Sequence, residues 1–423
     1  MAKLLWTQKQ DIGPKPRVLH ALAFDSTAAR TILFGGDSLT GQAFDDTWAW
    51  DGDNWTQVAD MGPHPRAAHA LAYDSARNRI VLFGGTVGGA SVRDTWEWAD
   101  DAWTQVADTG PSIRSGHAMV FDSARGRCVL FGGGPFGGAP LNDTWEWDGN
   151  DWVQVEDTGP SPRRAHAMAF DSARSRVVLF GGFGNPGPAA LGDTWEYDAA
   201  AGAWTQVQDI GPDACFSGAL VFKTTKSELF GGASAPGNAA PPPTVFGFSW
   251  EWDGAHWTAR QDIGPGPRVG HAMAYDSARD RVVLFGGAAT PLDDPAGNAT
   301  ALGDTWEQFE TGALAGGGGG PPPPPAGEEQ PLAQFTITPD VAPAGPGNEV
   351  VFEVVLAGPA PGPAGQDVDI ATGGGSIGVI NVPSGAASQQ VPVSVDALVP
   401  MGNLIQFDAT AGGVTLSATL TIV

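Results

Sequence analysis

A tryptophan followed by polar residues and a Gly-Pro pair recurs six times, at Trp6, Trp55, Trp103, Trp152, Trp204 and Trp257. The spacings are 49, 48, 49, 52 and 53 residues, a period that marks a stack of like supersecondary units. Each unit has the same internal order. The second reads Trp55-Thr-Gln-Val, then Gly62-Pro63, Arg66-Ala-Ala-His69, Ala-Leu-Ala-Tyr73-Asp74, Ser-Ala-Arg-Asn-Arg, Ile80-Val-Leu-Phe-Gly84-Gly85, a variable loop, and Asp94-Thr-Trp96-Glu-Trp98.

This order predicts four short strands. His69–Tyr73 and Ile80–Phe83 are apolar runs of strand length, separated by a turn rich in Asp, Ser and Asn. Gly84-Gly85 ends the second strand, where a Cβ would obstruct close approach of another segment. Thr95–Trp98 and Trp103–Val106 supply the third and fourth. A sheet this small cannot bury both faces alone, whereas radial stacking of several sheets buries them all.

The double glycine, the aromatic third strand and the fourth-strand tryptophan resemble kelch repeats over roughly residues 4–310. The resemblance implies an all-β, six-bladed propeller. Its ends also suggest how the ring closes. The sixth unit runs through Asp304-Thr305-Trp306-Glu307 but has no fourth-strand tryptophan, while Leu4-Leu5-Trp6-Thr7-Gln8 is a fourth strand without a third. Placing residues 4–9 as the outer strand of blade six removes both orphan edges.

The predicted domains are therefore a propeller over 1–310, a Gly/Pro linker over 311–334, and a β-sandwich over 335–423. The linker holds Gly316–Gly320, a flexible hinge, and Pro321–Pro325, a stiff polyproline spacer of about 15 Å. Beyond it, Val, Thr and Ile alternate in about seven short runs, which resembles a bacterial immunoglobulin-like domain. That region contains no His, Cys, Tyr or Trp, and offers little for an active site.

The formal net charge of −25 repels phosphate backbones and anionic membranes, so nucleic acid and lipid surfaces are excluded as partners. No segment reaches the roughly 18–20 apolar residues of a membrane span, and Met1-Ala2-Lys3-Leu4-Leu5-Trp6 has no signal-peptide character. Propeller, spacer and sandwich together suit display outside a cell, without fixing a compartment. Cys128 and Cys215 are too few for a disulfide framework and read as free thiols.

Antiparallel order puts the loops between strands two and three, and the segments leading into strand one, on one face around the channel mouth. That face carries Arg17/His20, Arg66/His69, Arg114/His117, Arg163/His166 and Arg268/His271. A residue repeated in nearly every blade solves a problem every blade has, so these ten read as framework. Asp46, Asp94, Asp143, Asp193 and Asp304 are the expected arginine partners.

Specific recognition is expected where the repeat fails. Blade five has Cys215, Gly218 and Lys223 in place of Arg, His and Asp, and Phe248-Ser249 in place of Asp-Thr. The strand two–three loops number 9, 8, 9 and 10 residues in blades one to four, but 15 and 16 in blades five and six. Phe136, Arg164, Phe183, Phe246, Phe248, Asp293 and Asp294 are the candidate ligand-binding residues on this face. No metal site, cofactor or catalytic residue is assigned. A copper-radical oxidase needs tyrosines, histidines and a cysteine converging, and the chain's tyrosines (Tyr73, Tyr197, Tyr275) all sit at a repeated strand position. The reading is a non-enzymatic module that binds a protein or glycan. The alternatives are a subunit of an extracellular or phage-like particle and a sugar-acid epimerase.

Overall fold

A computed structural model describes residues 3–9, 12–184, 190–208, 211–235, 243–260, 264–292 and 299–311, and eight strand segments between 332 and 422. The chain divides into two compact units, Met1–Ala315 and Gly316–Val423. Among the described residues there is no helix, and hence none long and apolar enough to cross a membrane.

The first unit is a propeller of six four-stranded antiparallel sheets. Blade two shows the pattern: Ala70–Asp74 innermost, then Arg79–Phe83, Thr95–Ala99 and Ala102–Ala107 outermost. Both faces of each blade meet a neighbour, which is why the second strand of blade two is apolar after Arg79. Ile80 and Leu82 face blade one, packing with Ile32, Phe34 and Ala49, while Val81 and Phe83 face blade three with Met119 and Leu130. All four are at most 1% exposed. Each contributes roughly 1.5–3 kcal/mol of burial.

The recurring tryptophan and Gly-Pro explain one another. A Cβ on Gly62 would stand 2.6 Å from the Trp103 ring, and the same clash recurs between Gly13 and Trp55 and between Gly264 and Trp6. The segment leading into a blade thus lies on that blade's own outer tryptophan. The indole then reaches back one blade: Trp103 Nε1 donates to Thr47 Oγ1 at 2.8 Å, Trp152 to Thr95 at 2.9 Å, and Trp55 to Thr305 at 2.8 Å.

Lys3–Gln8 is the outermost strand of blade six. It runs antiparallel to Thr305–Thr311, with Trp6 opposite Gln308 and Gln8 opposite Trp306. Cys128 and Cys215 are buried free thiols; burial pushes the Cys215 thiol up to about 12 and the Cys128 thiol up as well.

In the second unit, Leu332–Thr338, Glu349–Leu356 and Ser388–Ser394 form one sheet. Val341–Ala342, Val414–Ile422, Leu404–Ala411, Gln366–Thr372 and Gly375–Val382 form another, with one parallel pairing at Val341–Ala342. Most of the segment 311–334, read as a linker, lies outside the described residues.

Candidate functional site

The five repeated arginines are inside the blades, 0–2% exposed. Each binds the aspartate that opens its own third strand through two nitrogens at 2.6–2.9 Å. Nη1 also donates to the first glycine of the pair, for example Arg114 to Gly132 O at 2.8 Å. The aspartate in turn accepts the indole N–H two residues on, as Asp94 does from Trp96 at 2.7 Å. Burial works against the Asp94 carboxylate, but the Arg66 hydrogen bonds and charge outweigh it and hold its pKa below the ordinary value. Bidentate pairing of this kind fixes geometry as well as charge. These guanidiniums are not presented to an anion arriving from solvent.

The five histidines stand at the channel mouth, 5–6% exposed. Each packs edge-on against the second-strand phenylalanine of the preceding blade, as His117 does on Phe83 with ring centroids 5.5 Å apart. His117 Nε2 is 3.1 Å from the Phe83 carbonyl oxygen, which suits the Nε2–H tautomer, and Nδ1 of all five has no partner among the described residues. Burial first, and the adjacent arginine second, lower all five, with His117 and His271 at about 3. The imidazoles are therefore neutral near pH 7. Gly84 shows why the double glycine is required: it has φ +63°, and a Cβ there would meet the Arg114 carbonyl oxygen at 2.8 Å and the His117 ring at 3.1 Å.

Inside the histidines runs a closed belt of backbone hydrogen bonds. Leu19 N–H donates to Gly270 O, Gly270 to Ser217, Ser217 to Ala165, Ala165 to Gly116, Gly116 to Ala68 and Ala68 to Leu19, at 2.7–2.9 Å. Leu19, Ala68, Ala165 and Ser217 adopt φ of 53–55° to make it, a conformation that strains non-glycine residues by roughly 1–2 kcal/mol each. No sequence signal announces this ring, because the position varies among Leu, Ala, Gly and Ser.

Three of the expected contact residues converge on the loop face. Phe136, in the blade-three loop, is 65% exposed, and its N–H is held by Ser91 Oγ of blade two at 2.8 Å. Arg164 donates from Nη2 to Gly138 O at 2.8 Å and lies 6.0 Å from the centroid of Phe183. Burial pushes its pKa below the ordinary value, and no carboxylate opposes that shift. Phe183 meets Phe216 of blade five edge-on at 5.1 Å. Phe216 was missed in the sequence reading, although it is the one aromatic residue at a position occupied elsewhere by Val, Ala, Ser or Arg.

Phe246 and Phe248, two further candidates, belong to the packing of blade five. Phe246 is 7% exposed, stacks on Phe248 at 4.7 Å, and belongs to the blade-five core with Cys215, Leu229 and Trp252. Its N–H bonds Gly232 O, as Val92 bonds Gly85 and Leu141 bonds Gly133 in other blades, so it fills the regular apolar anchor position of the loop. Phe248 takes the place of the paired aspartate, and Cys215 that of the arginine. Blade five has apolar contact where the other blades have a buried ion pair, with Phe248 only partly covered. Asp293 and Asp294 lie outside the described residues. Among the described residues no group of three His, Cys, Asp or Glu is arranged to hold a metal ion.

Six radially stacked antiparallel sheets, double glycines against the next blade's histidine and a fourth strand supplied by residues 3–8 define a six-bladed β-propeller. Residues 97–241 match the family model described as the KLHDC2/KLHL20/DRC7 Kelch-repeats domain. A solved structure described as "Structure of YjhT" is similar in fold, with 15% identity and a TM-score of 0.55, covering 69% of this chain and 95% of that one. No curated protein matches the chain.

Proposed function

We propose that the propeller is a non-enzymatic binding module that grips a protein partner through the strip formed by Phe136, Arg164, Phe183 and Phe216. The observation that carries this reading is Arg164: a half-buried guanidinium with no carboxylate partner among the described residues, 6.0 Å from the Phe183 ring centroid, on a face where the repeated arginines are internally paired. Arg and large aromatic side chains dominate binding energy at protein interfaces, because they desolvate well and lose little entropy. An acidic side chain of the partner would supply the missing countercharge. Kelch propellers commonly serve as protein-interaction scaffolds, which supports the same reading at the level of fold alone. The C-terminal unit is read as an immunoglobulin-like sandwich that extends or anchors the propeller; seven strands longer than two residues, in two sheets, support that assignment.

The particle-subunit alternative would use the same strip for assembly. A sugar-acid epimerase would need a titratable base beside an arginine at the mouth; Arg164 could supply the arginine, but the five histidines there are buried and neutral. The test is site-specific photo-cross-linking in the full chain, with the probe at Phe136 or at Ala200 on the opposite face. A partner linked at 136, not at 200, and lost in Arg164→Glu supports the proposal. Equal linking at both positions, or indifference to Arg164→Glu, overturns it.

A further inference from the structure

At five of the six blade borders, an aliphatic residue in the middle of a second strand shares a core with the last aromatic residue of the next blade's third strand. The pairs are Ile32 with Trp98, Val81 with Trp147, Val129 with Tyr197, Val178 with Trp252 and Val283 with Trp50. At the border of blades five and six both members change together, to Glu228 and Gln308, which are 0% and 1% exposed. Gln308 Nε2 donates to Glu228 Oε1, and Lys223 Nζ stands 2.8 Å from Glu228 Oε2.

A second change opens the space. Other blades place six residues between the strand partners equivalent to Tyr73 and Ile80, and in four of them an arginine of that stretch (Arg77, Arg125, Arg174, Arg279) binds its aspartate. Blade five makes the turn with only Lys223-Thr-Thr-Lys226. Loss of the arginine and of the indole leaves a cavity of about 180 Å³, on the face opposite the histidines. That is room for roughly six waters. Lys223 and Tyr275 line both this cavity and the adjacent end of the central channel, so it is reached from there.

We propose that this cavity binds a neutral, polyhydroxylated ligand the size of one sugar ring. Its charged groups already balance: Lys223 and Lys226 each engage Glu251, at 3.2 and 3.1 Å, and Asp280 accepts from Tyr275 Oη at 2.7 Å. An anionic ligand would have to draw Lys223 or Lys226 away from Glu251 and leave that buried carboxylate short of countercharge. Sugar hydroxyls instead donate to the carboxylates and accept from the ammoniums without disturbing them, with Thr224 and Thr225 supplying further hydroxyls and Phe309 an apolar wall. The site is independent of the loop-face strip, from which it is separated by the length of blade five.

Saturation-transfer NMR and calorimetry on the full chain, with glucose, galactose, mannose and N-acetylglucosamine as probes, test the assignment. At least one should bind with a dissociation constant on the order of 1–10 mM, as expected of so small a ligand. Tyr275→Phe, a partly exposed change that keeps the fold, should weaken it about 3- to 10-fold. The double variant Glu228→Val/Gln308→Trp writes the pair used at the other borders into this one. It should abolish binding while keeping or raising the unfolding temperature. Arg164→Glu should bind sugar as the parent does. Failure of all four sugars to bind, undiminished affinity in a folded double variant or in Tyr275→Phe, or tighter binding of glucuronate than of glucose overturns the proposal.

Discussion

The border between blades two and three and the border between blades five and six share one backbone plan and are filled in opposite ways. In the first, Val81, Phe83, Leu130 and Trp147 make a dry contact, roofed by Arg77 against Gly149. In the second, Glu228, Gln308, Lys223 and Glu251 form a hydrogen-bonded polar cluster beside a cavity. Blade five carries the opposite exchange at its upper end, where Cys215 and Phe248 stand in for the Arg–Asp pair that blade two keeps as Arg66–Asp94. A propeller with six equivalent borders needs only enough of them to be regular. The irregular one is free to hold chemistry that a uniform core would exclude.

Acid should expose the largest difference between regular blades and blade five. The five buried histidines stay neutral in the folded protein, whereas the unfolded chain binds protons below about 6.5. The unfolded state thus holds more protons, and stability falls as pH drops from 6.5 toward 4, by on the order of 1 kcal/mol per pH unit for each such imidazole. Blade five has Gly218 there and adds nothing. Thermal unfolding across this range should show the slope, and His117→Gln should reduce it by about a fifth. A flat profile breaks the comparison.

Arg114→Ala should destabilise by about 3–5 kcal/mol in urea unfolding, because Asp143 is left without its countercharge. The matching truncation in blade five, Cys215→Ala, removes one buried sulfur and should cost only about 1 kcal/mol. Equal losses would mean that the ion pair is no more than filler.

A smaller effect concerns ring closure. Trp6 Nε1 and Ser249 Oγ are both buried without a hydrogen-bond partner among the described residues, although threonine at the equivalent position binds the indole at the other five borders. Ser249→Thr restricts the hydroxyl rotamer and should recover one hydrogen bond, about 1 kcal/mol, while Thr47→Ser should lose a similar amount. Calorimetric melting of the two variants decides. Smallest of all, Phe136→Ala should shift stability by no more than about 0.5 kcal/mol, because the ring is mostly in water, while partner capture is lost.

Blades and their order were legible in the sequence because strand length, turn chemistry and double glycines repeat together. The predicted first strand, His69–Tyr73, differs from the observed Ala70–Asp74 by one residue at each end. The candidate site was legible only in part. Arg164, Phe136 and Phe183 stood out as departures from the repeat, and folding does bring Arg164 and Phe183 together, with the Phe136 loop supplying the Gly138 carbonyl that Arg164 holds. Phe246 departed just as visibly, yet its side chain is core, since one-dimensional novelty carries no information about which way a loop residue faces.

From the sequence alone came the number of blades, the composition of each sheet and the closing role of the first strand, all consequences of periodicity and of unpaired strand edges. The belt of backbone hydrogen bonds, the neutral state of the buried histidines and the cavity beside Gln308 arose only when blades met. Each depends on contacts between residues far apart in the chain, from 28 positions for Lys223 and Glu251 to 80 for Gln308 and Glu228, or across the seam that joins the two ends of the propeller, where exposure and charge are set by the neighbouring blade.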